Sequence, residues 1–269
     1  MGLIAGGCGG LLGIGGSIVI IPGLVLLRGG QGQHLYQAVA MIVNFFIVAP
    51  AVWRHRRAAA IQGWVTRWTI PSAVVGAVGG VCLSEIPIFH GSGQGYLQIG
   101  FAAFLLYVLA YNLRRLRPGR SLATKIERPV RASRLSIVGL VGLPAGVMSG
   151  LLGIGGGLYT VPAQQVWLGI RLQNAIANSA ATILASSVVG AVVKNAALGR
   201  HGFALSESLL LAAILIPSAA LGSWITSAGV HRWPVRAIRV AFTILLIYSA
   251  GRMALTGWQQ VNPPVAVSE

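Results

Sequence analysis

An eight-residue, glycine-rich phrase occurs twice in this chain, and both copies interrupt long apolar stretches. Gly10-Leu11-Leu12-Gly13-Ile14-Gly15-Gly16-Ser17 returns as Gly150-Leu151-Leu152-Gly153-Ile154-Gly155-Gly156-Gly157, and the same offset of 140 residues carries Pro22 onto Pro162. Seven of the eight positions match, so the chain reads as an internal duplication. Glycines this dense interrupt a helix, because each loses more backbone freedom there than any other residue. A break inside an apolar stretch leaves N–H and C=O groups unpaired at membrane depth. That is tolerable only where protein or a polar cavity receives them. In a soluble chain the phrase would suggest a phosphate loop; here it points to a transport site.

Composition supports the membrane setting. Hydrophobic residues make up 55% of the 269 residues and charged residues only 9%, far from soluble-domain averages. Several apolar runs exceed the roughly 20 residues that cross a bilayer. The net charge of +16 would suggest nucleic acid in a soluble protein. Here the cations lie in loops beside spans, as the positive-inside bias and attraction to anionic headgroups require. Cys8 and Cys82 form neither a metal spacing nor a disulfide framework. The apolar N-terminus has no basic n-region or clear cleavage site, so it reads as a retained span.

The expected organisation is a first transmembrane repeat over residues 1–113, a basic cytoplasmic linker over 114–135, a second repeat over 136–257 and a polar tail over 258–269. Between Arg114 and Arg134 there are eight basic residues and one acid, Glu127, the strongest orientation signal in the chain. The segments Ile70-Pro71-Ser72-Ala73 and Ile216-Pro217-Ser218-Ala219 match as well, at an offset of 146. Each half therefore contains a glycine-broken first segment and about three further helices.

The second broken segment, Ser136 to Leu168, is 33 residues long. Fully helical it would reach about 50 Å, against a bilayer core of about 30 Å. One broken crossing helix fits, and so does a pair of half-helices forming a re-entrant hairpin. With the linker inside, the crossing plan leaves 15 basic residues inside and five outside, and the hairpin plan 16 and four. Charge does not separate them. Inverted repeats with broken helices are frequent among secondary transporters, which favours the hairpins slightly.

The candidate substrate site comprises Gly13, Gly15, Gly16 and Ser17 in the first copy and Gly153, Gly155, Gly156 and Gly157 in the second. A half-helix beginning at each break would present unpaired N–H groups that favour an anion; close helix packing through small residues is the competing reading. Asn44 in the second span, and Asn178, Ser179 and Thr182 in its counterpart, need polar partners at membrane depth, from a neighbouring helix or from substrate. Asn178 and Ser179 join the candidate donors. Ser72, Gly76 and Gly80, like Ser218 and Gly222, read as a packing stripe. Arg54 and Lys194 stand near span ends, where a long cationic side chain can snorkel to the interface. Glu85 and Glu207 are the acids nearest to spans, and proton coupling through Glu207 has little support. The chain has no Asp, no HExxH zinc motif and no P-loop lysine, so no enzymatic apparatus, metal or cofactor is expected.

Two copies of Gly-Leu-Leu-Gly-Ile-Gly-Gly followed by a proline, with the later Ile-Pro-Ser-Ala segments, resemble the TauE/SafE family of sulfite-exporter-like permeases. The resemblance covers nearly the whole chain. It implies a multi-pass protein of the bacterial inner membrane that moves a small sulfur-containing anion such as sulfite, thiosulfate, sulfoacetate or an organosulfonate. The expectation is an all-α polytopic secondary transporter of two homologous halves, parallel or inverted, with its site between the glycine breaks. A passive anion channel is the alternative, and a scaffold without transport a more distant one. Expected partners are a small anion and the surrounding lipid, not nucleic acid; a homo-oligomer is compatible with the pattern.

Overall fold

The computed structural model describes residues 1–29, 32–116, 133–229 and 235–262. Most of the basic stretch expected as a linker, and the last residues of the expected tail, lie outside the described residues. Within them every regular element is helical: α1 (Gly2–Leu12), α2 (Ser17–Arg28), α3 (Gln33–Arg57), α4 (Gly63–Ser84), α5 (Gln94–Leu116), α6 (Arg134–Leu152), α7 (Gly157–Trp167), α8 (Leu172–Ala197), α9 (Leu205–Gly229) and α10 (Val235–Val261). Helices α3, α6, α8 and α9 contain stretches long and apolar enough to cross a membrane.

Helix α1 stops where Gly13 turns left-handed at φ 62° and its N–H bonds back to Gly9 O at 3.0 Å. Helix α6 stops in the same way, at Gly153 with φ 72° and an N–H bond to Ser149 O of 2.9 Å. A side chain is strained in this backbone region, which is why glycine stands there. After each break the chain turns back. Pro144 has no N–H to give to the Leu140 carbonyl one turn earlier. Tyr159 Oη, from α7, donates to that carbonyl at 2.9 Å. Further along, Val161, Ala163 and Leu168 share a core with Ile137 and Val141, so α7 runs back beside α6. In the first segment the Met1 side chain lies against Gly23 of α2.

The helices on either side of a break pack mainly on other elements. Helix α1 lies on α9, and α6 on α4, through small residues that bring backbones together. A Cβ added at Gly6 would stand 1.8 Å from Ala219 O, one at Gly146 2.1 Å from Ala73 O, and one at Gly150 2.0 Å from Ala77 O. On the facing helices, Gly76, Gly80 and Gly222 have the same close approach, to Leu143 O, Val147 O and Leu3 O. The packing stripe expected from Ser72, Gly76, Gly80, Ser218 and Gly222 is therefore real, and its partners are α6 and α1. Helix α3 packs on α8, and α5 on α10.

These contacts define two ends. At the basic end, Trp53 stacks on Trp224 with 5.8 Å between ring centroids; Arg54 lies over Trp224 at 4.7 Å and Arg57 over Trp53 at 3.8 Å. Arg67 and Arg134 cover Trp68 there as well. Such aromatic and cationic belts suit a membrane–water interface. At the opposite end, Gln94 at the start of α5 accepts from Gly32 N and Gln33 N, and α4 ends beside the end of α8. The α6–α7 pair opens toward the basic end. The α1–α2 pair opens toward the other, where Arg28 pairs with Glu207 at the start of α9 at 3.0 Å.

Candidate functional site

The two glycine breaks meet inside the molecule. A Cβ on Gly157 would be 2.7 Å from Ile14 Cα and 2.8 Å from Gly13 O, so the second break lies directly on the first. Asn44, fully buried about halfway along α3, holds the junction. Its Oδ1 accepts from Gly16 N at 2.7 Å and its Nδ2 donates to Ser17 Oγ at 2.6 Å. A Cβ on Gly15 would stand 2.9 Å from Asn44 Oδ1, and one on Gly155 2.9 Å from Asn44 Nδ2. Glycine at both positions lets one amide sit against both breaks.

The freed carbonyls are also received. Ser179 Oγ on α8 donates to Gly13 O at 2.8 Å, and Gln37 Nε2 on α3 donates to Leu151 O at 3.1 Å. A long helix thus caps the last turn of each broken one, which answers the need for internal partners at this depth. Of the candidate residues, Gly13, Gly15, Gly16, Ser17, Gly155, Gly157 and Ser179 lie at this junction. Gly153 packs on Gln37, and Gly156 begins α7 against Ala145. Asn178 lies elsewhere. It accepts from Gln62 N at 2.8 Å and donates to Gln164 Oε1 at 3.0 Å, joining the α3–α4 turn to α7. Thr182 is satisfied within its own helix by Asn178 O.

A cavity of about 220 Å³ lies on the basic side of the junction, lined by His55, Ala58, Ala59, Ala60, Gln173, Asn174 and Ile176. Ile176 also packs under Gly13: a Cβ there would meet Ile176 O at 2.8 Å. The cavity thus ends one residue short of the first break. One wall is the α3–α4 turn, which follows the basic cluster at Arg54, Arg56 and Arg57.

Sequence reasoning missed a second polar centre, at the opposite end. Lys194, expected to snorkel, is instead 1% exposed. Its Nζ donates to Ser84 Oγ at 2.6 Å, lies 2.8 Å from His34 Nδ1 and reaches Glu85 Oε1 at 3.4 Å. The other Glu85 oxygen is 3.0 Å from His201 Nε2. His34 and His201 stack with centroids 3.6 Å apart, and His90 meets both edge-on. His34 Nε2 faces Phe89 O at 3.1 Å, so that nitrogen carries the proton and Nδ1 accepts from the ammonium. The ligand-type atoms of His34, Glu85 and His201 lie within 4.8 Å of one another. The Lys194 ammonium already stands among them as the cation, which makes this an ion-pair network. The signal available in the sequence was small: Glu85 is one of four acids, in a stretch without Lys or Arg.

Comparison with known proteins matches residues 1–253 to the model of the family described as sulfite exporter TauE/SafE. The chain is 28% identical over 287 residues to the probable membrane transporter protein MamO of Magnetospirillum gryphiswaldense, covering 95% of this chain and 44% of that protein. It is 26% identical over 266 residues to the probable membrane transporter protein YunE of Bacillus subtilis, with 92% of each chain covered. It is 34% identical over 163 residues to a probable membrane transporter protein of Xylella fastidiosa, covering 57% of this chain and 56% of that one. The chain spans less than half the length of the MamO proteins it matches. No solved structure matches it.

Proposed function

The chain belongs to the sulfite exporter TauE/SafE family, and from that premise we propose that it is a secondary transporter for a small anion, a sulfur oxyanion or an organosulfonate, in a bacterial inner membrane. The observation that carries the reading is the meeting of the two glycine breaks around Asn44. Helix breaks brought together near mid-depth are the usual position of substrate sites in secondary transporters. The backbone N–H groups of Gly15, Gly16, Gly155, Gly156 and Gly157, with Ser17 and Ser179, would bind the oxyanion. Asn44 then acts as an internal stand-in, holding Gly16 N and Ser17 Oγ until substrate replaces it.

The two halves form an inverted repeat in this reading. Each contributes one hairpin and three long helices, and each lays its first helix on the penultimate helix of the other. The hairpins open to opposite faces, so rocking one half against the other would expose the junction alternately. The cavity between His55 and Ile176 is the approach from the basic face. A junction packed as closely as this one favours a carrier over an open channel.

The test is exchange of labelled sulfite, thiosulfate or sulfoacetate in proteoliposomes. Saturable exchange of at least one of them, reduced by about tenfold or more in Gly155→Leu, is expected. Unchanged exchange in that variant would move the site elsewhere, and no exchange of any of the three anions would overturn the transporter reading.

A further inference from the structure

Five ionisable side chains from three parts of the chain converge at the end of the molecule away from the basic belt, and the junction already described does not use them. Lys194 and His34 are shut away from solvent, and the Glu85 side chain is 10% exposed, the most accessible of the three. Burying an ion pair is often no better for stability than packing apolar residues in its place. Glu85 is also one of only four acids in the whole chain. Buried ionisable groups in a membrane protein are a mark of ion or proton pathways.

Glu85 lies between three kinds of neighbour. Lys194 on α8 faces one carboxylate oxygen, and His201, just past α8, faces the other. His34 on α3 lies 3.7 Å from the carboxylate, and His90, in the loop after α4, closes the group through its contact with both imidazoles. The stacked rings of His34 and His201 would repel each other if both were charged, and the Lys194 ammonium beside them adds to that repulsion, so the carboxylate is the acceptor the cluster leaves for an added proton. With the carboxylate ionised, the Lys194 charge is cancelled. A proton placed on the Glu85 carboxylate removes that cancellation and leaves the ammonium without a counter-charge. An anion is then the partner that restores neutrality.

We infer that Glu85, held between Lys194, His34 and His201, is a proton-binding site that makes the inward or outward step of an oxyanion dependent on a proton moving with it. The inference rests on the transporter reading above. The proton is taken up from the face on which Glu85 is exposed, and no bond other than the O–H forms. Linkage to the junction runs through two long helices. His34 lies one turn from Gln37, whose amide caps Leu151, and Lys194 shares α8 with Ser179, whose hydroxyl caps Gly13. Opening the Lys194–Glu85 pair leaves Ser84 as the contact between Lys194 and α4, and a shift of the α8 end that follows is carried along these helices to both breaks.

Proteoliposomes holding the full chain separate the two ideas. Exchange of labelled sulfite, thiosulfate and sulfoacetate at equal pH on both sides reads the transporter function. Net accumulation of the same anions under an imposed pH gradient reads the coupling. The wild type is expected to exchange at least one anion and to accumulate it in the alkaline compartment. Glu85→Gln is expected to keep exchange within about twofold and to lose pH-driven accumulation by about tenfold or more. Glu85→Gln leaves an unpaired ammonium inside, so the double variant Glu85→Gln/Lys194→Met serves as the second probe, with no buried charge to destabilise it. It too should exchange without coupling. Exchange in the wild type with no response to the gradient overturns the coupling alone, as does full pH-driven accumulation in either variant. Absence of exchange in the wild type overturns both readings.

Discussion

Asn44 and Lys194 are buried polar side chains in long helices, and each is satisfied by partners far away in sequence. Asn44 bonds to Gly16 and Ser17, at separations of 28 and 27 residues, whereas Lys194 reaches His34 and Ser84, at 160 and 110. Removing one member of a buried ion pair leaves the other uncompensated and costs about 3–5 kcal/mol. We therefore expect Glu85→Ala to lower the thermal midpoint of the detergent-solubilised protein clearly more than the paired change Glu85→Ala/Lys194→Met. Equal midpoints for the two would show that the Lys194 charge is not buried in solution. The polarity of both residues was legible in the sequence, but their roles were not. Whether a cation near a helix end reaches outward or folds inward depends on what the next helix presents. The Ser84–Glu85 pair that receives Lys194 arrives from another part of the chain. His34 and His201 carried no local pattern either, because their pairing arises only when the ends of α3 and α8 come together.

Helices α1 and α6 are held by shape. Gly6, Gly146 and Gly150 stand against backbone atoms of α9 and α4, where no flexible side chain can give way. Overpacking usually costs about 1–3 kcal/mol because neighbours adjust. Here a Cβ at Gly146 would fall 2.1 Å from a carbonyl oxygen, so the whole helix must shift. Gly146→Leu is expected to abolish a monodisperse species on size exclusion, whereas Gly139→Ala, which meets nothing within 4 Å, should leave the profile unchanged. A normal elution profile for Gly146→Leu would contradict the observed α4–α6 contact. Small residues at four-residue spacing in Ser72, Gly76 and Gly80 made this interface readable before any coordinates. What spacing could not say was which helix lay opposite, since a stripe of small residues fits any other such stripe.

For the whole molecule, the choice between crossing and re-entering segments could not be made from charge. Both plans place almost the same number of cations inside, because the basic residues sit in loops that the two plans share. Tyr159 bonding back to Leu140 carries the information instead, and that contact depends on a turn whose direction glycine leaves free. The hairpins opening to opposite ends give a labelling prediction. With Cys8 and Cys82 replaced, a cysteine at Gly169 should react with a membrane-impermeant maleimide from the same side as one at Ala59. A cysteine at Gly29 should react from the same side as one at His90. Labelling of Gly169 and Gly29 from one side would rule out the observed arrangement.

The crossed packing of α1 on α9 has a consequence for how the protein is made. Helix α1 finds its groove about 200 residues later in the chain, at Ser218 to Ser223. Until then the face carrying Gly6 lacks its partner, and the Gly13 carbonyl first awaits Ser179. Helix α6, by contrast, emerges after its α4 groove is already in place. Synthesis therefore meets the two hairpins unequally: the second can dock as it appears, while α1 must wait in the bilayer until α9 has followed it.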